Sequence, residues 1–180
     1  MSSLVKTASS ILAAFGASSA LAADMLKPGD LFPSFTLKAQ DGSTVSSEGL
    51  KGSPYLVYFY PKADTPGCTK EACAFRDSWA EAQLIGLKVF GVSYDTPEDN
   101  RAFADKYSLQ FVLLSDRDRA LAEKAGAAGI MPFPSRISYL VGADGRVLKA
   151  YPKVSPAEHA AEVIADFRAL VGTASAKSKG

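Results

Sequence analysis

Two kinds of apolar pattern alternate along the chain. Short runs rich in β-branched and aromatic residues, Tyr55–Tyr60 (YLVYFY) and Leu87–Ser93 (LKVFGVS), read as buried strands, and Phe111–Leu114 reads as a shorter one. Between them lie stretches with helical spacing. After Pro61 the apolar positions fall at Cys68, Ala72, Phe75, Trp79 and Ala82, which puts one stripe of a single helix on the core until Gly86 ends it. Thr96 followed by Pro97 is an N-cap with proline at the first helical position, and that helix turns its apolar face through Phe103 and Tyr107. Asp118 to Ala125 is a further short helix, and Ile130–Pro134 (IMPFP) is a loop. Ser155-Pro156-Ala157-Glu158 reads as a capping box that opens a last helix to about Val171.

Turn chemistry adds two hairpins. PGDLFPSFTLK leads into a short strand, Gln40-Asp41-Gly42 is a tight turn, and Ser43-Thr44-Val45 returns as the partner, giving an N-terminal β-hairpin. Ala143-Asp144-Gly145 joins Ile137–Val141 to Val147–Tyr151 as a second antiparallel pair. The order describes an α/β chain with a central mixed sheet flanked by helices, parallel crossovers first and an antiparallel hairpin closing one side.

Composition narrows the function. A chain of 180 residues with 47% hydrophobic and 22% charged residues is one globular domain, with neither internal repeats nor a linker. Twenty basic against nineteen acidic residues give a net charge of +1 without a basic run, which argues against a nucleic-acid partner. Two cysteines and one histidine make neither a disulfide scaffold nor a zinc site of ordinary spacing. At the N-terminus, Lys6, the apolar run Ile11–Ala17 and Ala20-Leu21-Ala22 follow the order of a secretory signal peptide. The expectation is cleavage after Ala22, an exported, periplasmic protein with a domain over 23–172, and a disordered tail over 173–180. An uncleaved, disordered N-terminus is the alternative. The apolar run is too short to span a bilayer, so no stable membrane association is expected.

The candidate chemistry lies where the Tyr55–Tyr60 strand gives way, through a loop, to the first helix, because a thiol at a helix N-terminus is favoured as thiolate. Cys68 begins the apolar stripe and faces inward, whereas Cys73 falls off it, near Arg76 and Asp77. On a regular helix, positions five apart are rotated by about 140° and their Cα atoms lie roughly 8–9 Å from each other. A disulfide needs about 7 Å or less. A permanent disulfide conflicts with the helix, so bonding the two requires local unwinding. The asymmetry suggests Cys68 as the attacking thiol and Cys73 as its resolver. The plain alternative is two unconnected buried thiols.

The segment Pro61-Lys62-Ala63-Asp64-Thr65-Pro66-Gly67-Cys68 matches the P-x-x-x-T-x-x-C signature of peroxiredoxins, and YFYPKADTPGCTKEACAFRD resembles the bacterioferritin-comigratory-protein, or peroxiredoxin Q, branch. The likeness runs from about Leu26 to Val171. It implies a thioredoxin-like fold and reduction of hydrogen peroxide or organic hydroperoxides without metal or organic cofactor. It would make Cys68 peroxidatic and Cys73 resolving, with Pro61, Thr65 and Arg136 as the remaining site positions. A thioredoxin-like or other dithiol is the implied reductant, and a monomer is expected.

Physical chemistry supports that division of labour. Lowering a thiol's pKa from ~8.5 to ~6 raises its thiolate fraction at pH 7 about thirtyfold, only ~2 kcal/mol of barrier. The remainder must come from groups that align the peroxide and stabilise the departing oxygen. Thr65 can place a hydroxyl beside sulfur and substrate, Arg136 a fixed cation, and Pro61 a shield from water. Read without the family, Thr65 is a turn or N-cap residue, Arg136 a surface arginine and Pro61 a strand terminator. Lys62, Lys70 and Glu71 are assigned to a solvated rim, Phe75 and Trp79 to the core, and His159 to a structural or exposed position. The two prolines of IMPFPSR make the loop before Arg136 stiff. A thioredoxin-type oxidoreductase lacks support because C-x-x-C is absent, and a copper chaperone would have His159 as its sole histidine ligand.

Overall fold

The computed structural model describes residues 24–129 and 132–177. Seven strands form one sheet: β1 (Thr36–Ala39), β2 (Thr44–Ser46), β3 (Tyr55–Phe59), β4 (Lys88–Ser93), β5 (Val112–Ser115), β6 (Ser138–Val141) and β7 (Val147–Tyr151), in the spatial order β2-β1-β5-β4-β3-β6-β7. The three central strands are parallel, and both flanks are antiparallel hairpins, as the pattern predicts. The signal-peptide segment 1–22 lies outside the described residues.

Strand β3 is buried along its whole length because both faces of the sheet are covered. Tyr55, Val57 and Phe59 point into a core completed by Phe32, Phe35, Leu121 and Ala125. Leu56, Tyr58 and Tyr60 point into the opposite core, built from Cys68, Ala72, Phe75, Phe103, Val163 and Phe167. Full burial of one such side chain stabilises by about 1.5–3 kcal/mol, so the alternation along β3 fixes its register firmly. Gly91 of β4 lies opposite Tyr58, and a Cβ there would stand 2.8 Å from the Tyr58 ring and 2.7 Å from Leu113. Tyr58 can thus lie flat beneath the first helix.

The helices are α1 (Pro66–Asp77), α2 (Trp79–Leu84), α3 (Pro97–Tyr107), α4 (Ala120–Lys124) and α5 (His159–Lys177). The single helix expected from Cys68 to Gly86 is therefore two. Ser78, at φ −95° and ψ 8°, breaks it, while the apolar stripe continues across the break through Trp79 and Ala82. Periodicity alone cannot register an interruption that keeps the same face inward. The start also moves: Thr65 is the N-cap and Pro66 opens α1, so Cys68 is its third residue. Gly86, at φ +75°, does end the run. Thr96 caps α3 as expected, accepting the Asp99 amide at 3.1 Å.

Two expectations about the last helix need correction. The capping box does not open it: residues 156–158 form a turn in which the Glu158 and His159 amides donate to the Ser155 carbonyl at 3.1 and 3.0 Å, and α5 begins at His159. Its end lies beyond Val171 and Gly172, at Lys177, within the stretch 173–180 assigned to a disordered tail. The Thr-Ala-Ser-Ala-Lys sequence carries no proline, and alanine and lysine favour helix enough for the backbone to continue past one glycine.

Candidate active site

The loop between β3 and α1 is held by carboxylates on two sides. Asp95, buried just after β4, accepts the Ala63 amide at 2.8 Å, the Ser93 hydroxyl at 2.9 Å and the Lys62 ammonium at 2.6 Å. Asp64, at φ +58°, accepts the Lys106 ammonium and the Tyr107 hydroxyl of α3, each at 2.6 Å. Pinned in this way, the loop turns directly into the first turn of α1, where no side chain caps the helix amides. Cys68 sits there with 1% exposure, its sulfur in the core face of α1 at the positive end of the helix dipole.

Arg136 reaches the same sulfur from the opposite direction. It lies two residues before β6, and the Ser135 amide beside it donates to the Ala127 carbonyl at 2.8 Å. Gly129 allows the backbone of residues 133–135 to come close, since a Cβ there would fall 2.6 Å from the Phe133 carbonyl oxygen. The guanidinium Nη2 donates to Cys68 Sγ at 3.1 Å, and Nη1 donates to a carboxylate oxygen of Glu71. Gly67 makes room for this approach, because a Cβ there would stand 3.2 Å from Nη2.

Glu71 departs most from expectation. Assigned to a solvated rim, it is fully buried and is the counter-ion of Arg136, whose own side chain is 21% exposed. Burial pushes its carboxyl up to about 7, against the pull of the guanidinium. Its second oxygen Oε1 and the buried Tyr58 hydroxyl have no hydrogen-bond partner among the described residues. A sequence signal existed: three residues after Cys68 places Glu71 on the same helix face as the sulfur. Lys70 and Lys62 are exposed, as expected, and Lys62 also ties the loop to Asp95.

The remaining positions sort clearly. Thr65 Oγ1 donates to the Lys62 carbonyl at 2.9 Å rather than capping α1. With its proton committed, the hydroxyl offers only acceptor lone pairs to anything at the mouth of the site. Pro61 is half-buried and lines a cavity of about 320 Å³ with Lys62, Tyr94, Arg117 and Phe133. Cys73 is half-buried on the outer side of α1, and both cysteines are free thiols. Phe75 is core, stacked on Tyr58 with centroids 5.1 Å apart, while Trp79 is only half-buried. His159 is structural: fully buried, bonded to the Ser138 hydroxyl at 2.9 Å and flanked edge-on by Phe75 and Tyr151. Burial, reinforced by Arg136, brings its pKa down to about 4. Among the described residues no cluster of three or more His, Cys, Asp or Glu is gathered to hold a metal ion.

Comparison with known proteins bears on the family and the fold. The profile of the AhpC/TSA family matches residues 28–150. The putative peroxiredoxin bcp of Coxiella burnetii is 39% identical over 150 residues, covering 77% of this chain and 97% of the relative. Among solved structures, peroxidoxin BcpB from Mycobacterium tuberculosis superposes with a TM-score of 0.74 at 32% identity, over 81% of this chain and 98% of that one. Peroxiredoxin Q of Xanthomonas campestris gives 0.70 at 32% identity, over 75% and 90%. The sheet order and flanking helices are those of the thioredoxin-like peroxiredoxin structures, and the chain belongs to the AhpC/TSA family as a thiol peroxidase of the Bcp and peroxiredoxin Q type.

Proposed function

We propose that the Cys68 thiolate attacks the terminal oxygen of hydrogen peroxide or an organic hydroperoxide. The O–O bond breaks, the sulfur is oxidised to a sulfenic acid, and the leaving oxygen departs as water or alcohol after taking up a proton. The observation that carries this reading is the guanidinium of Arg136 at 3.1 Å from Cys68 Sγ, held in place by a buried carboxylate. A cation fixed there stabilises the thiolate and the charge that develops on the leaving oxygen, without reorganising during the reaction. Thr65, whose hydroxyl oxygen keeps free acceptor lone pairs, accepts a hydrogen bond from the peroxide and aligns its O–O bond with the sulfur. Pro61 closes the loop side of the site against water.

Cys73 then attacks the sulfenic sulfur, forming the disulfide and releasing water. Both cysteines lie within α1, where their Cα atoms are roughly 8–9 Å apart on an intact helix, so this step requires α1 to unwind locally. A thioredoxin-like dithiol restores the two thiols by exchange. The mature chain begins at Ala23, is exported to the periplasm and acts as a monomer, which makes the donor a periplasmic dithiol.

The central test is stopped-flow mixing with hydrogen peroxide. Cys68→Ser should consume none above background, and consumption at the wild-type rate would overturn the reading. With Cys73→Ser, one turnover should survive and leave a trappable sulfenic acid on Cys68. Mass spectrometry of protein from its native host should find a chain starting at Ala23, and sedimentation should give one copy per particle. An intact residue 1–22 segment or a stable dimer would refute those two points.

A further inference from the structure

We infer that the last turn of α3 clamps α1 and that Arg76 is the positioning residue that sets how fast Cys73 can reach Cys68. The inference rests on the peroxidase reading above. Tyr107, the final residue of α3, grips both ends of α1: its hydroxyl donates to Asp64 at 2.6 Å, before the helix, and its backbone carbonyl accepts from Arg76 Nη1 at 3.1 Å, near the other end. The second grip has a built-in driving force. The carbonyl belongs to the C-terminal turn of α3, whose acceptors lack intrahelical partners and whose dipole is negative, and Arg76 supplies a cation. Asp77 holds the guanidinium from its other side, at 2.9 Å to Nε and 2.8 Å to Nη2.

Cys73 lies three residues before Arg76 and two before Phe75. Phe75 sits in an aromatic socket of Tyr58, Phe111 and His159. For Cys73 to approach Cys68, the segment between them must leave its helical path while Phe75 and Arg76 resist from the C-terminal side. Removing Phe75 would damage the core, but Arg76 is a surface-edge residue, 30% exposed in its side chain, and can be removed without a cavity in either core. Its grip prolongs the wound state after the first oxidation. Resolution then competes with a second peroxide, which oxidises the Cys68 sulfenate to sulfinate and is itself reduced to water or alcohol. Releasing the grip shifts that competition towards the disulfide.

Stopped-flow oxidation of the reduced protein tests this. Arg76→Ala should resolve about tenfold faster, equal to ~1.4 kcal/mol, and should form correspondingly less sulfinate per turnover, with the first oxidation unchanged. Arg76→Lys, which keeps the charge and a donor, should restore most of the wild-type rate. Tyr107→Phe keeps the carbonyl that holds Arg76 and loses only the hydroxyl grip on Asp64, so it should speed resolution less than Arg76→Ala does. Hydrogen exchange should show faster opening over 68–77 in Arg76→Ala with β3 and β4 amides unchanged. Unchanged or slower resolution in Arg76→Ala, equal acceleration in Tyr107→Phe, or equal loss of protection in α1 and β3 would each overturn the inference. If wild-type protein forms no sulfenate on Cys68, the peroxidase reading itself fails, which is a separate signal.

Discussion

The two faces of α1 are made from one twelve-residue helix and do opposite things. The inner face carries Cys68, Glu71, Ala72 and Phe75, all buried. Its sulfur and its carboxylate share one guanidinium, and its ring stacks on Tyr58. The outer face carries Thr69, Cys73, Arg76 and Asp77, none of them fully buried, with polar bonds along a helix edge. A site that fixes one reactant tightly needs the first kind of surface. A thiol that must travel needs the second. On the proposed mechanism, the helix would separate aim from mobility by rotation about its axis rather than by distance along the chain.

Substitutions can break this contrast, and the inner face should give the larger effects. Arg136→Gln should slow the first oxidation about 10²–10³-fold in a peroxide stopped-flow assay, the usual loss for a positioned donor at a developing charge. Phe75→Ala should cost about 3–5 kcal/mol in chemical denaturation, as other buried phenylalanines do. Cys73→Ser should change stability by only about 0.5 kcal/mol, in keeping with its half-exposed place, while abolishing the disulfide.

Two buried titratable groups sharpen the same comparison through pH. The Glu71 carboxyl is raised from 4.5 to about 7 by burial, so its contribution to stability is present below about 4.5 and is lost as pH rises through 7. His159 is lowered from 6.5 to about 4, so its contribution is present above about 6.5 and is lost as pH falls through 4. Over the shared window the two oppose each other. Wild-type protein should lose stability relative to Glu71→Gln as pH rises from 4.5 to 7, measured by thermal unfolding. Parallel curves would show that burial does not control this carboxyl. The smallest effect should be optical: Trp79, the single tryptophan, lies 6.2 Å from Phe111 beside the end of α1, and its fluorescence should change when the disulfide forms.

Much of this was legible in the sequence because it is local. Asp41-Gly42 and Asp144-Gly145 specify their turns, Thr96-Pro97 specifies a helix start, and a run such as YLVYFY has one economical place, the middle of a covered sheet. Cys68 was legible for the same reason, since strand, loop and helix signals meet within a few residues of it. The rest depends on partners far away in the chain. Glu71 reads as a surface residue until Arg136, 65 positions later, arrives as its counter-ion. Asp95 reads as the end of a strand until Ala63 and Lys62 bond to it. Ser78 carries no breaker chemistry, and the stripe hides the break. The spacing is enough to put Cys73 off the stripe, but Tyr107 as the common anchor of both ends of α1 follows only from the packing of α3.

The burial of Cys68 sets a rule for chemical profiling of this protein. A thiol with 1% exposure admits a molecule the size of hydrogen peroxide far more readily than a maleimide or an iodoacetamide carrying a dye. Bulky reagents should therefore label half-buried Cys73 first, whatever the ranking of the two sulfurs towards peroxide. If Cys68 is the thiol that attacks peroxide, as proposed, an inventory of reactive cysteines built on alkylation rates would rank the two in the wrong order. Competition labelling with and without a prior pulse of peroxide would expose the inversion, because the pulse should remove the Cys73 signal while chemistry begins at Cys68.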